Sequence, residues 1–258
     1  MVRFIRLILG GSVFYPIAAD IYHYSRQSIM RFILLFSKVK YLKPKKYCDG
    51  GYKSQYGQDY YLEKLGLLAP AGFFVEIGCN HPIENSNSYY LEKNLGWRGV
   101  CIDGIDYSEL FSEHRNGSVF VNVLIDECER DLDFHVVRNV CGWENQVSSV
   151  YKDALEKGKG FDADVVKLRA MPLSMIHQID QPIDLCLIDV EGHELSVLRS
   201  VDYKKNPPKV FVVENNGEFY RRSVIVKFLT NRGYKHVARI GTTDDIFCLA
   251  SHRIGLPQ

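Results

Sequence analysis

The fold is decided by Phe73-Phe74-Val75-Glu76-Ile77-Gly78-Cys79-Asn80 and by a second run, Ile183-Asp184-Leu185-Cys186-Leu187-Ile188-Asp189-Val190-Glu191-Gly192-His193-Glu194. Both are apolar stretches that end in polar residues. Continuous apolar runs of this length are typical of strands buried on both faces, as in a parallel sheet covered by helices. Ligands bind such sheets at the carboxyl ends of the strands, where both polar clusters would lie.

The segments around these two runs alternate between strands and helices. The pattern predicts strands at 73–78, 99–103, 119–125, 183–189 and 208–214, and helices at 56–66, 87–96, 107–115, 172–179, 192–200 and 219–233. Residues 126–170 are less regular, with a strand-like alternation over 134–140, and a hairpin of 234–240 and 246–250 closes the chain. Right-handed crossovers make this alternation a doubly wound α/β sheet. The closing hairpin distinguishes it from the ordinary dinucleotide-binding arrangement.

Charge is distributed unevenly along the 258 residues. Residues 1–46 hold nine Lys or Arg and one acid, whereas the other residues hold 23 basic and 30 acidic side chains. An enzyme of nucleic acids more often carries positive charge across its body. The acidic body therefore argues against a nucleic-acid partner.

The seven cysteines indicate a reducing compartment. Their number is odd, the chain has no CxxC motif, and several of them fall in or beside predicted strands. Cysteines in such positions usually behave as small buried hydrophobic residues. Neither a disulfide framework nor a zinc site is expected.

The basic residues 1–46 are interpreted as a separate segment, and residues 47–258 as the main domain. The first apolar stretch has about 13 residues, which is too short for a membrane-spanning helix of roughly 20. Three interpretations stay open: helices packed on the main domain, contact with an anionic membrane surface, and a cleaved signal peptide.

The first polar cluster predicts a nucleoside cofactor without phosphates. Gly78 stands alone, without the further glycines of GxGxxG, and Pro82 removes a backbone donor, so a pyrophosphate would be poorly bound. Glu76 suits a cationic or hydroxyl-bearing group, and S-adenosylmethionine carries an ammonium, a sulfonium and ribose hydroxyls. Asp103 ends the next strand, where an acid accepts hydrogen bonds from ribose hydroxyls.

Five ordered motifs make the chain resemble the FkbM-type methyltransferases over roughly residues 52–250. His81-Pro82 stands where many members have Asp-Gly. The motifs are Ser54-Gln55-Tyr56-Gly57-Gln58-Asp59, Val75-Glu76-Ile77-Gly78-Cys79-Asn80-His81-Pro82, Ser86-Asn87-Ser88-Tyr89-Tyr90-Leu91-Glu92-Lys93, Gly96-Trp97-Arg98-Gly99 and Leu187-Ile188-Asp189-Val190-Glu191-Gly192-His193-Glu194.

The resemblance implies a class I methyltransferase (Rossmann-like) fold, S-adenosylmethionine as cofactor, and the hydroxyl of a sugar or natural product as acceptor. It further implies cofactor contacts, with Asp103 on the ribose and Asn122 or Val123 near the adenine. The other residues implied at the methionine and ribose part of the cofactor are Glu76, Gly78, Asn80, Gln55 and Asn87.

Removal of the acceptor's proton requires a base, which typically contributes ~10²–10⁴-fold to the rate. Asp189 ends a strand beside the expected methyl position and is the first candidate, followed by Glu191 and then His193. Glu214 closes the fifth strand and is expected to bind the acceptor. Nothing in the sequence resembles HExxH, so no metal is expected.

The leading hypothesis is therefore a cytoplasmic O-methyltransferase of a saccharide or similar small molecule, with attachment to the inner membrane face as an open alternative. A catalytically inactive binding protein with the same fold is the second hypothesis. A nicotinamide-dependent reductase is the third, and the missing glycines and the terminal hairpin argue against it.

Overall fold

The computed structural model describes residues 39–46, 48–138, 148–150, 162–215 and 217–252. Contacts along the chain divide it into two compact units, Met1–Tyr41 and Leu42–Gln258. The predicted packing or membrane contact of residues 1–46 lies largely outside the described residues and stays a prediction. Within the described ranges, no helix is both long and apolar enough to cross a membrane.

Strands and helices alternate over the described residues as the sequence predicts. In chain order the strands are β1 (Lys40–Leu42), β2 (Phe73–Ile77), β3 (Arg98–Asp103), β4 (Ser118–Asn122), β5 (Leu124–Ile125), β6 (Arg130–Arg138), β7 (Asp162–Met171), β8 (Leu185–Ile188), β9 (Val210–Glu214), β10 (Tyr234–Ile240) and β11 (Asp244–Leu249). The helices are α1 (Gln58–Lys64), α2 (Tyr89–Leu95), α3 (Ser108–His114), α4 (Glu194–Arg199) and α5 (Phe219–Thr230), with a 3₁₀ turn at Leu173–Met175.

The large sheet has the strand order β1-β10-β11-β9-β8-β2-β3-β4. β4, β3, β2, β8 and β9 run parallel to one another, and β11 lies antiparallel to both β9 and β10. β1 joins the edge through Leu42, whose carbonyl accepts the Gly241 N–H at 2.8 Å. The order confirms the doubly wound, Rossmann-like sheet with a C-terminal antiparallel hairpin.

Alternate side chains of the central strands enter two different cores because successive residues of a strand point to opposite faces. Phe74 on β2 packs in one core with Leu62 of α1 and Leu91 of α2. Val75 packs in the other with Leu198 of α4 and Leu229 of α5, on the opposite face. Burial on both faces explains why β2 and β8 read as continuous apolar runs.

Three predicted elements are wrong in detail. The strand expected at 119–125 is two strands, because the chain leaves the large sheet after Asn122 and β5 pairs with β7 in a small sheet of order β5-β7-β6. Residues 126–170, expected to be irregular, contain the long antiparallel pair β6 and β7. The helix expected at 172–179 is only the 3₁₀ turn at Leu173–Met175. The pairing partners of β5 and β7 lie far apart in sequence, so local patterns did not reveal them.

Candidate functional site

A cavity of about 270 Å³ lies at the carboxyl ends of β2, β3, β8 and β9. This is the sheet edge at which the sequence places its polar clusters. Nine of the eleven predicted site residues line the cavity, namely Gln55, Gly78, Asn80, Asn87, Asp103, Asp189, Glu191, His193 and Glu214. Glu76 and Asn122 do not line it. The roles of all eleven stay predictions.

The loop after β2 brings the ends of three strands together at Gly78. Its N–H donates to the Ile102 carbonyl on β3 at 2.8 Å, and its φ is +77°. A Cβ at this position would lie 1.7 Å from the carbonyl oxygen of Asp189, at the end of β8. Glycine is therefore required here because no side chain fits between the two strand ends.

Asp103 is held in a fixed orientation at the end of β3. One carboxyl oxygen accepts the backbone N–H of Asn80 at 2.8 Å, and the other accepts that of Ile105 at 2.9 Å. Burial raises the pKa of Asp103 to about 6, although these backbone donors oppose the shift. The side-chain oxygen of Asn80 in turn accepts the Tyr107 hydroxyl at 2.8 Å.

Glu76 acts behind the cavity wall rather than in it. Its carboxyl group is 2% exposed and accepts the Asn87 N–H at 3.0 Å and the Ser88 hydroxyl. The Arg115 guanidinium donates to the same Ser88 hydroxyl at 2.8 Å. This buried network fixes the start of α2 and thereby places the side chain of Asn87 at the cavity.

Asn87 has a buried acceptor without a hydrogen-bond donor. Its Oδ1 is inaccessible to solvent and has no partner among the described residues. Such a group is costly to bury unpaired, so it marks a position where a ligand that donates a hydrogen bond would be stabilised.

Apolar side chains close the side of the cavity below Asp103. Val123, Leu124 and Ile125 follow β4, and Phe134 comes from β6. The Asn122 side chain points away from this wall and donates to the Asp103 and Gly104 carbonyls, both at 3.0 Å. Of the two residues predicted to border an adenine, Val123 therefore lines the cavity and Asn122 holds the strand end.

Three carboxyl groups converge on the other side of the cavity. One carboxylate oxygen each of Asp189, Glu191 and Glu214 lies within 4.8 Å of the other two. Burial raises the pKa of Glu214 well above its ordinary value, and the neighbouring charge of Asp189 adds to the shift. Burial also raises the pKa of Asp189, against a hydrogen bond from Glu214. Glu214 therefore donates the hydrogen bond between the two groups and Asp189 accepts it.

A fourth carboxyl group stands behind this cluster. Asp244 pairs with Glu214 across β9 and β11, and burial raises its pKa to about 7. Gln58 donates to its Oδ2 at 3.2 Å.

The three converging carboxyl groups of Asp189, Glu191 and Glu214 could also hold a divalent cation, because carboxylate oxygens are ligands of such ions.

His193 lines the cavity beside these acids and is 4% exposed. Its Nε2 lies 3.0 Å from Oδ1 of Asp126, which is fully buried directly after β5. Burial lowers the pKa of His193, and the carboxylate of Asp126 only partly opposes this. The ring is therefore neutral at neutral pH.

Sequence reasoning missed several residues of the site. Tyr56 and Asn85 line the cavity from loops, and Gln58 lines it from the first position of α1. Asp126 repeats the signature that located the other acids, since it follows an apolar run. The sequence signal that could have found Asp126 is therefore its position directly after the strand predicted at 119–125.

The chain is similar to known methyltransferases. The family model of the Methyltransferase FkbM domain matches residues 76–236, which is more than half of the chain. The crystal structure of precorrin-6y C5,15-methyltransferase from Geobacter metallireducens GS-15 is similar at 14% identity and a TM-score of 0.42, over 79% of this chain and 93% of that one. A human methyltransferase 10 domain containing protein is similar at 10% identity and a TM-score of 0.37, over 75% and 80%. No curated protein matches the sequence.

Proposed function

The chain belongs to the FkbM methyltransferase family, and from that premise we propose that it is an S-adenosylmethionine-dependent O-methyltransferase of a saccharide or a similar hydroxyl-bearing small molecule. Its sheet is that of the class I methyltransferases. One observation carries the proposal. A single cavity is lined both by Asp103, the carboxylate proposed to bind the ribose, and by the candidate bases around Asp189 and His193.

The residues of the first half of the cavity fit the cofactor. Each carboxylate oxygen of Asp103 has a lone pair beyond the one used by a backbone N–H, so the group can accept both ribose hydroxyls. The unpaired Oδ1 of Asn87 suits the cofactor's ammonium. The wall of Val123 and Phe134 suits the adenine. When bound, the cofactor supplies an electrophilic methyl group on a sulfonium.

The described lining contains no Lys or Arg. A nicotinamide dinucleotide brings a pyrophosphate, which is usually bound by glycine-rich backbone or basic side chains. This composition argues against the reductase hypothesis. The open volume of the cavity argues against a protein whose pocket has been filled by side chains.

Alignment of the acceptor with the methyl group would supply most of the acceleration, up to about 7–11 kcal/mol of the barrier. In the proposed arrangement the Glu214 carboxyl group donates a hydrogen bond either to Asp189 or to the acceptor. A hydrogen bond to the acceptor would orient its reacting hydroxyl. The proton of that hydroxyl passes to a base of the cluster, for which Asp189, Glu191 and His193 are the candidates.

Calorimetry tests the cofactor. We expect micromolar binding of S-adenosylmethionine and S-adenosylhomocysteine, no binding of NADH, and loss of binding in Asp103→Ala. The matched control is Asp106→Ala, an exposed carboxylate three residues along whose Oδ1 accepts the Ser108 N–H. Folded protein that binds neither adenosyl compound would sink the proposal, and binding of NADH instead would revive the reductase.

Release of S-adenosylhomocysteine with a panel of neutral, amino- and acidic saccharides then tests the reaction. Each assay is run with and without EDTA, because a metal is not expected and activity should survive chelation. A protein that binds the cofactor but methylates no hydroxyl compound would favour the inactive binding protein. The cytoplasmic location and the contact of residues 1–46 with an anionic membrane remain proposals, which vesicle sedimentation with and without that segment would test.

A further inference from the structure

Glu191 has a backbone conformation that its residue type rarely adopts. Its φ is +47°, in the left-handed region where the Cβ of an L-residue comes too close to the neighbouring backbone. Asn80 and Asn85 also line the cavity with a positive φ, but asparagine tolerates this region better than glutamate does. A strained residue persists only where the surrounding structure holds it, and such residues cluster at functional sites.

Two buried side chains hold the peptide group that follows Glu191. The carbonyl of Glu191 accepts the Ser149 hydroxyl at 2.9 Å, and the N–H of Gly192 donates to Oε1 of Glu194 at 2.7 Å. Ser149 is 1% exposed, and Glu194 is fully buried. Both ends of this peptide group are therefore fixed, one from the segment between β6 and β7 and the other from α4.

Ser149 is itself held against the small sheet. Its N–H donates to the carbonyl of His135 on β6 at 3.1 Å, and its own carbonyl accepts the His135 N–H at 2.9 Å. Its neighbours Ser148 and Val150 line the cavity. Ser149 thus connects the small sheet to the loop that follows β8.

The carboxyl group of Glu191 reaches the acidic cluster from this backbone. One of its oxygens lies within 4.8 Å of a carboxylate oxygen of Asp189 and of one of Glu214. Because rotation about the N–Cα bond moves Cβ, a change of φ to the ordinary negative range would turn the Glu191 side chain in a different direction. The position of this carboxyl group at the cavity therefore depends on the left-handed backbone.

We propose that Ser149 is a positioning residue that holds Glu191 in the left-handed conformation, so that the Glu191 carboxyl group accepts a hydrogen bond from the reacting hydroxyl of the acceptor. This inference rests on the proposed function and deepens it, because it assigns a role to one of the candidate bases. Ser149 does not itself line the cavity and acts through the backbone of Glu191.

Backbone scalar couplings of the full-length protein report the sign of φ at Glu191 without any substrate. We expect a positive φ in the wild type and its loss in Ser149→Ala, which has no hydroxyl to donate to the Glu191 carbonyl. Ser200→Ala is the matched control and should keep the positive φ. The Ser200 hydroxyl is also buried and donates to a backbone carbonyl, that of Val197 at 2.7 Å, but neither residue lines the cavity. A Ser149→Ala variant that keeps the left-handed φ would overturn the positioning role.

Turnover tests whether the positioned carboxyl group is used. With an acceptor from the saccharide panel, we expect kcat to fall roughly 10²-fold in Ser149→Ala, because displacement of a reacting group by about 1 Å can cost that much. The affinity for S-adenosylhomocysteine should stay within about threefold, since Ser149 has no contact with the cofactor half of the cavity among the described residues. Ser200→Ala should keep both quantities within about threefold of the wild type.

A double-mutant cycle separates this role from a merely structural one, because residues that act through each other are not additive. Ser149→Ala should lower kcat in the wild type but not in Glu191→Ala, which has no carboxyl group to position. Equal losses in the two backgrounds, or a Glu191→Ala variant as active as the wild type, would overturn the proposal. Wild type that forms no product contradicts the proposed function, whereas the couplings still decide whether Ser149 holds Glu191.

Discussion

The carboxyl groups on the two sides of the cavity have different hydrogen-bond partners. On the side of β2 and β3, Asp103 and Glu76 are held by backbone N–H groups and a hydroxyl. On the side of β8 and β9, Glu214 donates a hydrogen bond to Asp189, and burial raises the pKa of both carboxyl groups. The carboxyl groups of the first half are therefore held by backbone donors and a hydroxyl, whereas those of the second half bind each other.

This difference matches the two tasks of a methyl transfer. A cofactor that keeps its charge and shape is bound best by preorganised acceptors, because no reorganisation is needed. A hydroxyl that must lose its proton needs groups whose protonation changes near neutral pH. Three predictions test whether the two halves really differ in this way.

The largest effect is expected at Gly78, where the halves join. Gly78→Ala forces a Cβ against the Asp189 carbonyl and puts alanine at φ +77°. Overpacking and the left-handed backbone together should lower the free energy of unfolding by at least about 3 kcal/mol. Gly96→Ala is the matched control, because φ is +68° there but nothing lies within 4 Å. It should cost only about 1–2 kcal/mol in urea unfolding. Equal costs for the two variants would show that the strand ends are not in close contact.

The second effect is a pH dependence of stability in the acidic half. The pKa of Asp244 is raised to about 7 in the folded protein, from about 3.9 in an unfolded chain. A raised pKa means that the folded state favours the protonated form, so its stabilising effect is complete below pH 4 and lost as pH rises through 7.

Asp244→Asn removes this dependence and keeps the size of the side chain. Relative to the wild type, its free energy of unfolding should rise by about 2–4 kcal/mol between pH 4 and pH 8. Chemical denaturation at several pH values measures the difference. Asp180→Asn, at an exposed carboxylate outside the cavity, should show no such trend. A flat difference for Asp244→Asn would mean that the acidic half is already ionised.

Much of this architecture follows from sequence patterns, for one physical reason. Strands buried on both faces must be apolar throughout, so the first polar residue after each run marks the carboxyl edge of the sheet. That rule predicted the positions of Asp103, Asp189 and Glu214 together. The same rule applies to Asp126, which directly follows the strand predicted at 119–125 but is not among the candidate site residues.

The remaining parts depend on contacts that no local pattern carries. The loop with Gln55 and Tyr56 is held by Asp59, which accepts the N–H groups of Lys53 and Ser54. Glu76 was predicted in the cavity because it ends a strand, yet it points to the helix face and binds α2. The side-chain direction at a strand end is decided by the register of the strand, and the polar partner of Glu76 lies eleven residues later.

The smallest effect is expected at Asn87 in the cofactor half, and it has two opposite signs. Asn87→Leu removes a buried oxygen without a donor, so the cofactor-free protein should gain about 1 kcal/mol in free energy of unfolding. The same change removes the proposed acceptor of the cofactor's ammonium. Because one hydrogen bond to a charged group contributes about 1.5–3 kcal/mol, S-adenosylhomocysteine should bind about tenfold more weakly. Asn94→Leu, at an exposed position of α2, should change neither quantity by a comparable amount. An acceptor reserved for a ligand destabilises the protein when the ligand is absent and strengthens binding when the ligand is present. An Asn87→Leu variant that is less stable than the wild type and binds S-adenosylhomocysteine equally well would therefore show that Oδ1 of Asn87 already has a hydrogen-bond donor within the protein.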